Sequence, residues 1–260
     1  MMKETVLITG PTSGIGYEMA KIFAENGFSL VLVGRDAEKL NKVEKELSKI
    51  TECRSITADL SEEKSAEKVF RETEKMKLDI DILINNAGFG LYGEFAKTDI
   101  DREAAMINVN VMTLTKLCKL YLPKMIEKRN GKILNIASTA AFQPGPLMAV
   151  YYATKAYVLH FSEAISEELD GSGVSITALC PGPTQSGFQK EARMDSSMEV
   201  LSKENVMDVK TVANAGFDAL MNKQVVRIVG FRNEITANSI RIIPRSIVRK
   251  IVKRIQQKRT

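Results

Sequence analysis

Short apolar runs rich in β-branched residues alternate with longer amphipathic stretches along most of the chain. Residues 6–9, 29–34, 53–58, 80–85, 131–138, 174–180 and 225–230 read as strands. Near-continuous runs such as Leu30-Val31-Leu32-Val33 and Ile82-Leu83-Ile84 suit strands covered on both faces. Residues 14–26, 36–50, 62–77, 99–129, 151–170 and 208–222 carry helical periodicity. This is βαβ repetition, and it predicts one α/β domain over 1–260: a doubly wound, mainly parallel seven-stranded sheet with helices on both faces. The longest stretch without a clear period, 181–206, follows a strand end. It is expected to form a lid over the ligand crevice that open α/β sheets place there.

Composition agrees with that picture and excludes others. The chain has 260 residues, 44% hydrophobic and 27% charged, which suits a single large globular domain. Cys53, Cys118 and Cys180 are scattered and His160 is the only histidine, so a zinc site or a Ser-His-Asp triad has almost nothing to work with. No metal site is expected. An odd, scattered cysteine count fits a reducing compartment, and the opening apolar run is too short for a signal peptide, so the expected location is cytoplasmic.

Candidate chemistry begins at Thr9-Gly10-Pro11-Thr12-Ser13-Gly14-Ile15-Gly16, between the first strand and the first helix. Glycines there allow a tight turn and let backbone N–H groups and a helix N-terminus approach a pyrophosphate. The second strand ends at Gly34-Arg35-Asp36. An acid at this strand end binds the ribose 2′-hydroxyl of NAD, whereas an arginine suits a 2′-phosphate. Arg35 therefore favours NADP, with Ser13 as a second phosphate contact, and Asp36 reads as the cap of the next helix. Further on, Tyr151 and Lys155 lie four apart on a helical pattern and share a face. A nearby ammonium favours the phenolate, and lowering the pKa from about 10 by about 3 units corresponds to roughly 4 kcal/mol. Such a tyrosine serves as a general acid or base.

With these motifs the chain resembles the short-chain dehydrogenase/reductase family. The resemblance runs from about residue 5 to 186 through Thr9–Gly16, Asp59-Leu60, Asn85-Asn86-Ala87-Gly88, Asn110, Ser138, Tyr151/Lys155 and Pro181-Gly182, in the family's order. It implies a Rossmann-type fold and an NADPH-dependent oxidoreductase. By this similarity Tyr151 exchanges the proton, Lys155 assists it and binds the nicotinamide ribose, Ser138 orients the substrate oxygen, and Asn110 supports a water relay. Asp59 and Leu60 flank the adenine. The turn through Asn86, Ala87 and Gly88 passes the adenosine ribose, and Pro181, Gly182, Thr184 and Ser186 meet the carboxamide. The sequence departs from the family's pattern at Thr184 and Ser186, where an aliphatic residue and a threonine are commoner. Tyr152 lacks a lysine at i+4 and Thr139 breaks the family spacing, so Ser138 and Tyr151 are preferred. His160 is turned by about half a revolution from Tyr151 and is assigned no catalytic role. Cys180 reads as a buried strand-end thiol.

The substrate side is apolar: Phe89-Gly90-Leu91-Tyr92, Ala140 to Met148, and a lid bearing Phe188, Met194 and Met198. The expected substrate is a hydrophobic ketone or aldehyde, or the matching alcohol, whether 3-oxoacyl, steroid-like or another carbonyl compound. The rival reading is an NADP(H)-binding sensor or scaffold without turnover. A homodimer or homotetramer is expected. Residues 223–260 hold eleven Lys/Arg against Glu234 alone, so the rest of the chain is net acidic. Within the basic tail, 241–260, Ile247, Val248, Ile251, Val252 and Ile255 form one helical stripe among Arg245, Arg249, Lys250, Lys253 and Arg254. Such a helix either lies on an anionic membrane surface or packs on its own domain or a second subunit. Nucleic acid is not an expected partner, since no binding motif accompanies the charge.

Overall fold

Each apolar run forms the strand expected of it. The computed structural model describes residues 3–194, 206–240 and 242–257. Among them are β1 (Thr5–Thr9), β2 (Ser29–Gly34), β3 (Cys53–Thr57), β4 (Ile82–Asn85), β5 (Gly131–Ile136), β6 (Val174–Cys180) and β7 (Val226–Ile228). All pairings are parallel, in the order β3-β2-β1-β4-β5-β6-β7. Leu7 of β1 stands opposite Val31 on one side and Leu83 on the other. The chain winds outward from β1 to β3, then returns to lay β4 beside β1. The carboxyl ends of β1 and β4 thus frame the point where strand order reverses, which is where such sheets open a ligand crevice.

The helices are α1 (Gly14–Glu25), α2 (Ala37–Leu47), α3 (Ser65–Lys75), α4 (Ile100–Ile107), α5 (Leu114–Glu127), α6 (Ala149–Glu168), α7 (Phe188–Glu191), α8 (Val209–Met221), α9 (Phe231–Ser239) and α10 (Arg245–Gln256). Leu7, Val31, Leu83 and Ile133 face one layer with Val69, Leu117 and Val158 of α3, α5 and α6. Their strand neighbours Ile8, Leu32, Ile84 and Leu134 face the other, with Phe23, Leu40 and Val212 of α1, α2 and α8. Burying both faces explains why these strands are apolar throughout rather than alternating, since each buried aliphatic side chain contributes ~1.5–3 kcal/mol. Asp36 caps α2, accepting a hydrogen bond from the Lys39 N–H at 3.1 Å.

Three expectations need correction. The helix expected over 99–129 is interrupted by a π-helical segment, Asn108–Thr113, between α4 and α5. The wider turn seats Asn110 in the interior, 1% exposed, a one-residue adjustment that hydrophobic periodicity does not register. The last strand ends at Ile228 because Gly230, at φ +92°, turns the chain into α9, a helix the sequence reading left out. In α10 the expected five-residue stripe divides: Val248, Val252 and Gln256 are buried against the domain, whereas Ile247 and Ile251 are each 48% exposed.

Candidate active site

The glycine loop is held from behind by the turn that follows β4. Gly10 and Gly14 adopt φ of +66° and +60°, which side-chain-bearing residues rarely accept. The Asn86 side chain donates to the Thr9 and Gly10 carbonyls at 2.9 and 3.0 Å, while Thr9 Oγ1 accepts the Asn86 and Ala87 N–H groups at 3.0 Å each. Gly16 does not line the crevice. A Cβ there would lie 2.3 Å from Asn86 Nδ2 and 2.4 Å from the Gly10 carbonyl, so glycine lets loop and buttress touch. Gly16→Ala is accordingly expected to displace the Asn86 amide, lower the melting temperature by roughly 4–8 °C and weaken nucleotide binding about tenfold. Calorimetry and nucleotide titration read both, and an unchanged melting temperature would mean that the loop yields freely.

Beyond the loop, at the end of β2, the mostly exposed Arg35 places Nη2 3.4 Å from Glu191 Oε1. Arg102 of α4 reaches the same carboxylate at 3.0 Å and the Glu191 carbonyl at 2.7 Å, with its guanidinium 5.3 Å from the centre of the Phe89 ring. Asp59 accepts from the Ser61 N–H and hydroxyl, and those bonds, with Arg35 nearby, hold its carboxyl below the usual range. Asp59 and Leu60 line the same wall as Ser13.

At the other end, β5, the start of α6 and the strand end of β6 bring Ser138, Tyr151 and Lys155 together. The Ser138 hydroxyl stands near enough to the Tyr151 phenol to favour its ionised form, donates to the Pro181 carbonyl at 3.4 Å and accepts the Ala140 N–H at 3.1 Å. Lys155 is 6% exposed, donates to the Ile136 carbonyl at 2.6 Å and sits 5.8 Å from the Tyr151 ring centre. Burial lowers its pKa to about 8. The expected depression of Tyr151 by Lys155 is not found: burial pushes the phenol well up, only partly opposed by Ser138. The ammonium lies against the ring and a carbonyl rather than at the phenolic oxygen. Tyr151 is thus held as a proton-bearing phenol.

Asn110 stands behind this group rather than in it. Its Nδ2 donates to the Phe89 carbonyl at 3.0 Å and to Thr154 Oγ1 at 3.1 Å, and its Oδ1 accepts the Phe89 N–H at 3.2 Å. Tyr152 points elsewhere, accepting from the Gln256 amide at the end of α10. His160 is exposed beside Glu163, and Cys180 is fully buried with its thiol pushed up to about 12 by burial. Neither takes part.

These walls enclose one cleft of about 1330 Å³. Every residue that the sequence reading nominated for catalysis or cofactor binding lines it except Gly16 and Asn110, whereas of the expected substrate side Gly90, Leu91, Tyr92, Ala141 and Phe142 do not. On the substrate side Phe188 tilts against Tyr151 with ring centres 5.1 Å apart, and Met148 and Met194 add apolar surface. A bridge between Thr184 and Met207 joins the described residues on either side of the segment expected to form a lid; Met198 lies outside the described residues. Sequence reasoning missed Arg102, Phe231, Ile255 and Gln256, which also line the cleft. The signal for Phe231 was its place just after a strand's carboxyl end. Gln256 gave none, being one polar residue in a polar tail.

Residues 4–197 match the family profile described as short chain dehydrogenase. The chain is 36% identical to the uncharacterized oxidoreductase YvrD of Bacillus subtilis over 71% of its own length and 70% of that protein's. It is also 36% identical to the human very-long-chain 3-oxoacyl-CoA reductase, over 68% of this chain and 58% of the reductase. Among solved structures, a short-chain dehydrogenase from Sphingobium yanoikuyae in complex with NADPH superposes with a TM-score of 0.83 at 29% identity, covering 99% of this chain and 98% of that one.

Proposed function

Because the chain belongs to the short-chain dehydrogenase/reductase family and is an oxidoreductase acting between CH–OH and C=O, we propose that it is an NADPH-dependent carbonyl reductase for apolar ketones or aldehydes. The observation that carries the proposal is the meeting of Ser138, Tyr151 and Lys155 at the apolar end of a cleft whose other end holds the glycine loop and Arg35. The residues present fit the dinucleotide: positive-φ glycines form the cradle, and a buried ammonium stands at the far end. Bound along the cleft, NADPH supplies the hydride for the carbonyl carbon.

In this reading the first turn of α1 with Gly10, Thr12, Gly14 and Ile15 receives the pyrophosphate, and Asp59 and Leu60 flank the adenine. Ala87 and Gly88 pass the ribose, with Asn86 holding the loop. Pro181, Gly182, Thr184 and Ser186 meet the carboxamide. Lys155 grips the nicotinamide ribose. Ser138 orients the carbonyl oxygen, and Tyr151, which burial keeps protonated as reduction requires, delivers its proton there. Asn110 serves a water relay from its π-turn backbone, because its side chain is already committed to Phe89 and Thr154. The substrate class extends to 3-oxoacyl and steroid-like compounds, in keeping with the apolar lining and the human relative's activity. A homodimer or homotetramer, with its support in Met112 and Tyr157 exposed on the outer helices, and a reducing cytoplasmic setting, suited to three free buried thiols, complete the reading.

The test is loss of NADPH absorbance when the purified chain meets a panel of ketones, acyl thioesters and oxosteroids. NADPH specificity is tested separately. Arg35→Asp removes a 2′-phosphate partner and supplies an acceptor for a ribose hydroxyl, so NADPH affinity should fall 10- to 100-fold and the preference invert toward NADH. If the unmodified protein uses NADH as well as NADPH, Arg35 does not have this role.

A further inference from the structure

The surface around the substrate end of the cleft is both strongly basic and apolar. Phe231 is 77% exposed, Ile235 53%, Ile242 85%, and Ile247 and Ile251 48% each. Since Val248, Val252 and Gln256 already dock α10 on the domain, Ile247 and Ile251 are outward residues of a fixed helix. Around them Arg232, Arg245, Arg249, Lys250, Lys253 and Arg254 are exposed. The acids nearby are Glu234, exposed on α9, and Glu94, which is paired with Lys97 at 2.7 Å and also feels Lys253. Phe231 and Ile255 line the cleft, so this surface borders its opening. The Tyr92 hydroxyl donates to the Gln256 carbonyl at 3.0 Å, and the Gln256 amide donates to Tyr152, which fixes the end of α10 beside the active site.

We propose that this surface docks on an anionic lipid bilayer, with the mouth of the cleft turned toward the membrane so that apolar carbonyl compounds enter from the lipid. Five cations on α10 match headgroup phosphates, and the half-exposed isoleucines between them match the boundary with the acyl chains. A lipid surface satisfies both at once. An acidic protein would meet the cations but leave isolated, protruding Phe231 and Ile242 without pockets. The association is peripheral, because no described helix is long and apolar enough to cross a membrane. The proposal rests on the reading of the cleft as a carbonyl site only for its purpose; docking itself is read without turnover, so either can fail alone.

The experiment is co-sedimentation of the full chain with vesicles of phosphatidylcholine alone or containing phosphatidylglycerol. The chain should pellet with the anionic vesicles, be released by salt, and stay in the supernatant with the neutral ones. Arg249→Gln/Lys250→Gln/Arg254→Gln should weaken partitioning about a hundredfold, at roughly fivefold per cation. Ile247→Ser/Ile251→Ser should weaken it about tenfold with the melting temperature unchanged, since both side chains are half exposed. Absence of binding to anionic vesicles overturns the proposal, as does undiminished binding by the isoleucine variant. Capture by soluble polyglutamate without vesicle binding would assign the surface to an acidic partner instead. Loss of self-association in the isoleucine variant, again without vesicle binding, would assign it to a second copy of the chain.

Discussion

Tyr151→Phe is expected to lower ketone reduction by about two orders of magnitude or more while leaving NADPH affinity within a few-fold. The substitution removes one oxygen and keeps the ring, so packing against Phe188 at 5.1 Å and Tyr152 at 6.0 Å survives. The Lys155 bond to the Ile136 carbonyl is also untouched. What disappears is the phenolic proton beside Ser138, a contribution made in the transition state rather than in binding. Single-turnover rates and nucleotide titrations separate the two effects. Activity retained within tenfold would move the proton source elsewhere, Tyr152 being the nearest phenol.

Lys155→Met should damage both binding and turnover, because the ammonium is read as gripping the nicotinamide ribose and supporting Tyr151. It should also change the pH profile. Burial brings the Lys155 pKa down to about 8, so its charge is complete below that value and is lost as the pH rises through it. Wild-type kcat/KM should therefore decline above about pH 8, and this limb should be missing from the variant. Stability carries the opposite sign. Between about 8 and the ordinary lysine value near 10.4 the unfolded chain binds more protons than the folded one, so folding stability gains as the pH rises across that window. The variant should show a flatter dependence there. An unchanged nucleotide affinity in Lys155→Met would remove the ribose role.

How much of this was readable in advance depended on whether the information was local. Strands buried on both faces announce themselves as unbroken apolar runs, and Asp36 announces a helix start because its carboxylate caps three residues ahead. The choice of Tyr151 over Tyr152 followed from the lysine at i+4, and the structure sends Tyr152 to Gln256 instead. Other features required contacts between distant segments. Asn86 reads as a ligand-facing turn residue, yet its amide is spent on Thr9 and Gly10, 77 and 76 positions away. The π-helical turn at Asn110 exists because Phe89 offers it an N–H and a carbonyl, which no periodicity reports. The effect of Lys155 on Tyr151 was misjudged for a related reason. Spacing establishes that two side chains share a face, but whether charge or burial dominates depends on where the ammonium points and on how much water reaches the phenol.

The C-terminal tail shows the same limit. A stripe of five aliphatic residues is compatible with docking on the domain or with an outward apolar face, and the structure divides it between the two. Gln256, which ends the buried line, brings a polar group from residue 256 to the active-site wall. Its hydrogen-bond partner Tyr152 lies 104 positions upstream, so the contact leaves no local pattern.

On this reading the cleft transfers hydride from a bound nicotinamide to a carbonyl carbon. This transfer is tested most directly by incubating the purified chain with an apolar ketone and NADPH stereospecifically deuterated at the transferring carbon, one epimer at a time, and recovering the alcohol. Deuterium is expected on the carbinol carbon from one epimer, with Tyr151→Phe forming little product. NADPH binding with no labelled alcohol from any carbonyl compound in the panel would contradict it and leave a nucleotide-binding protein without turnover.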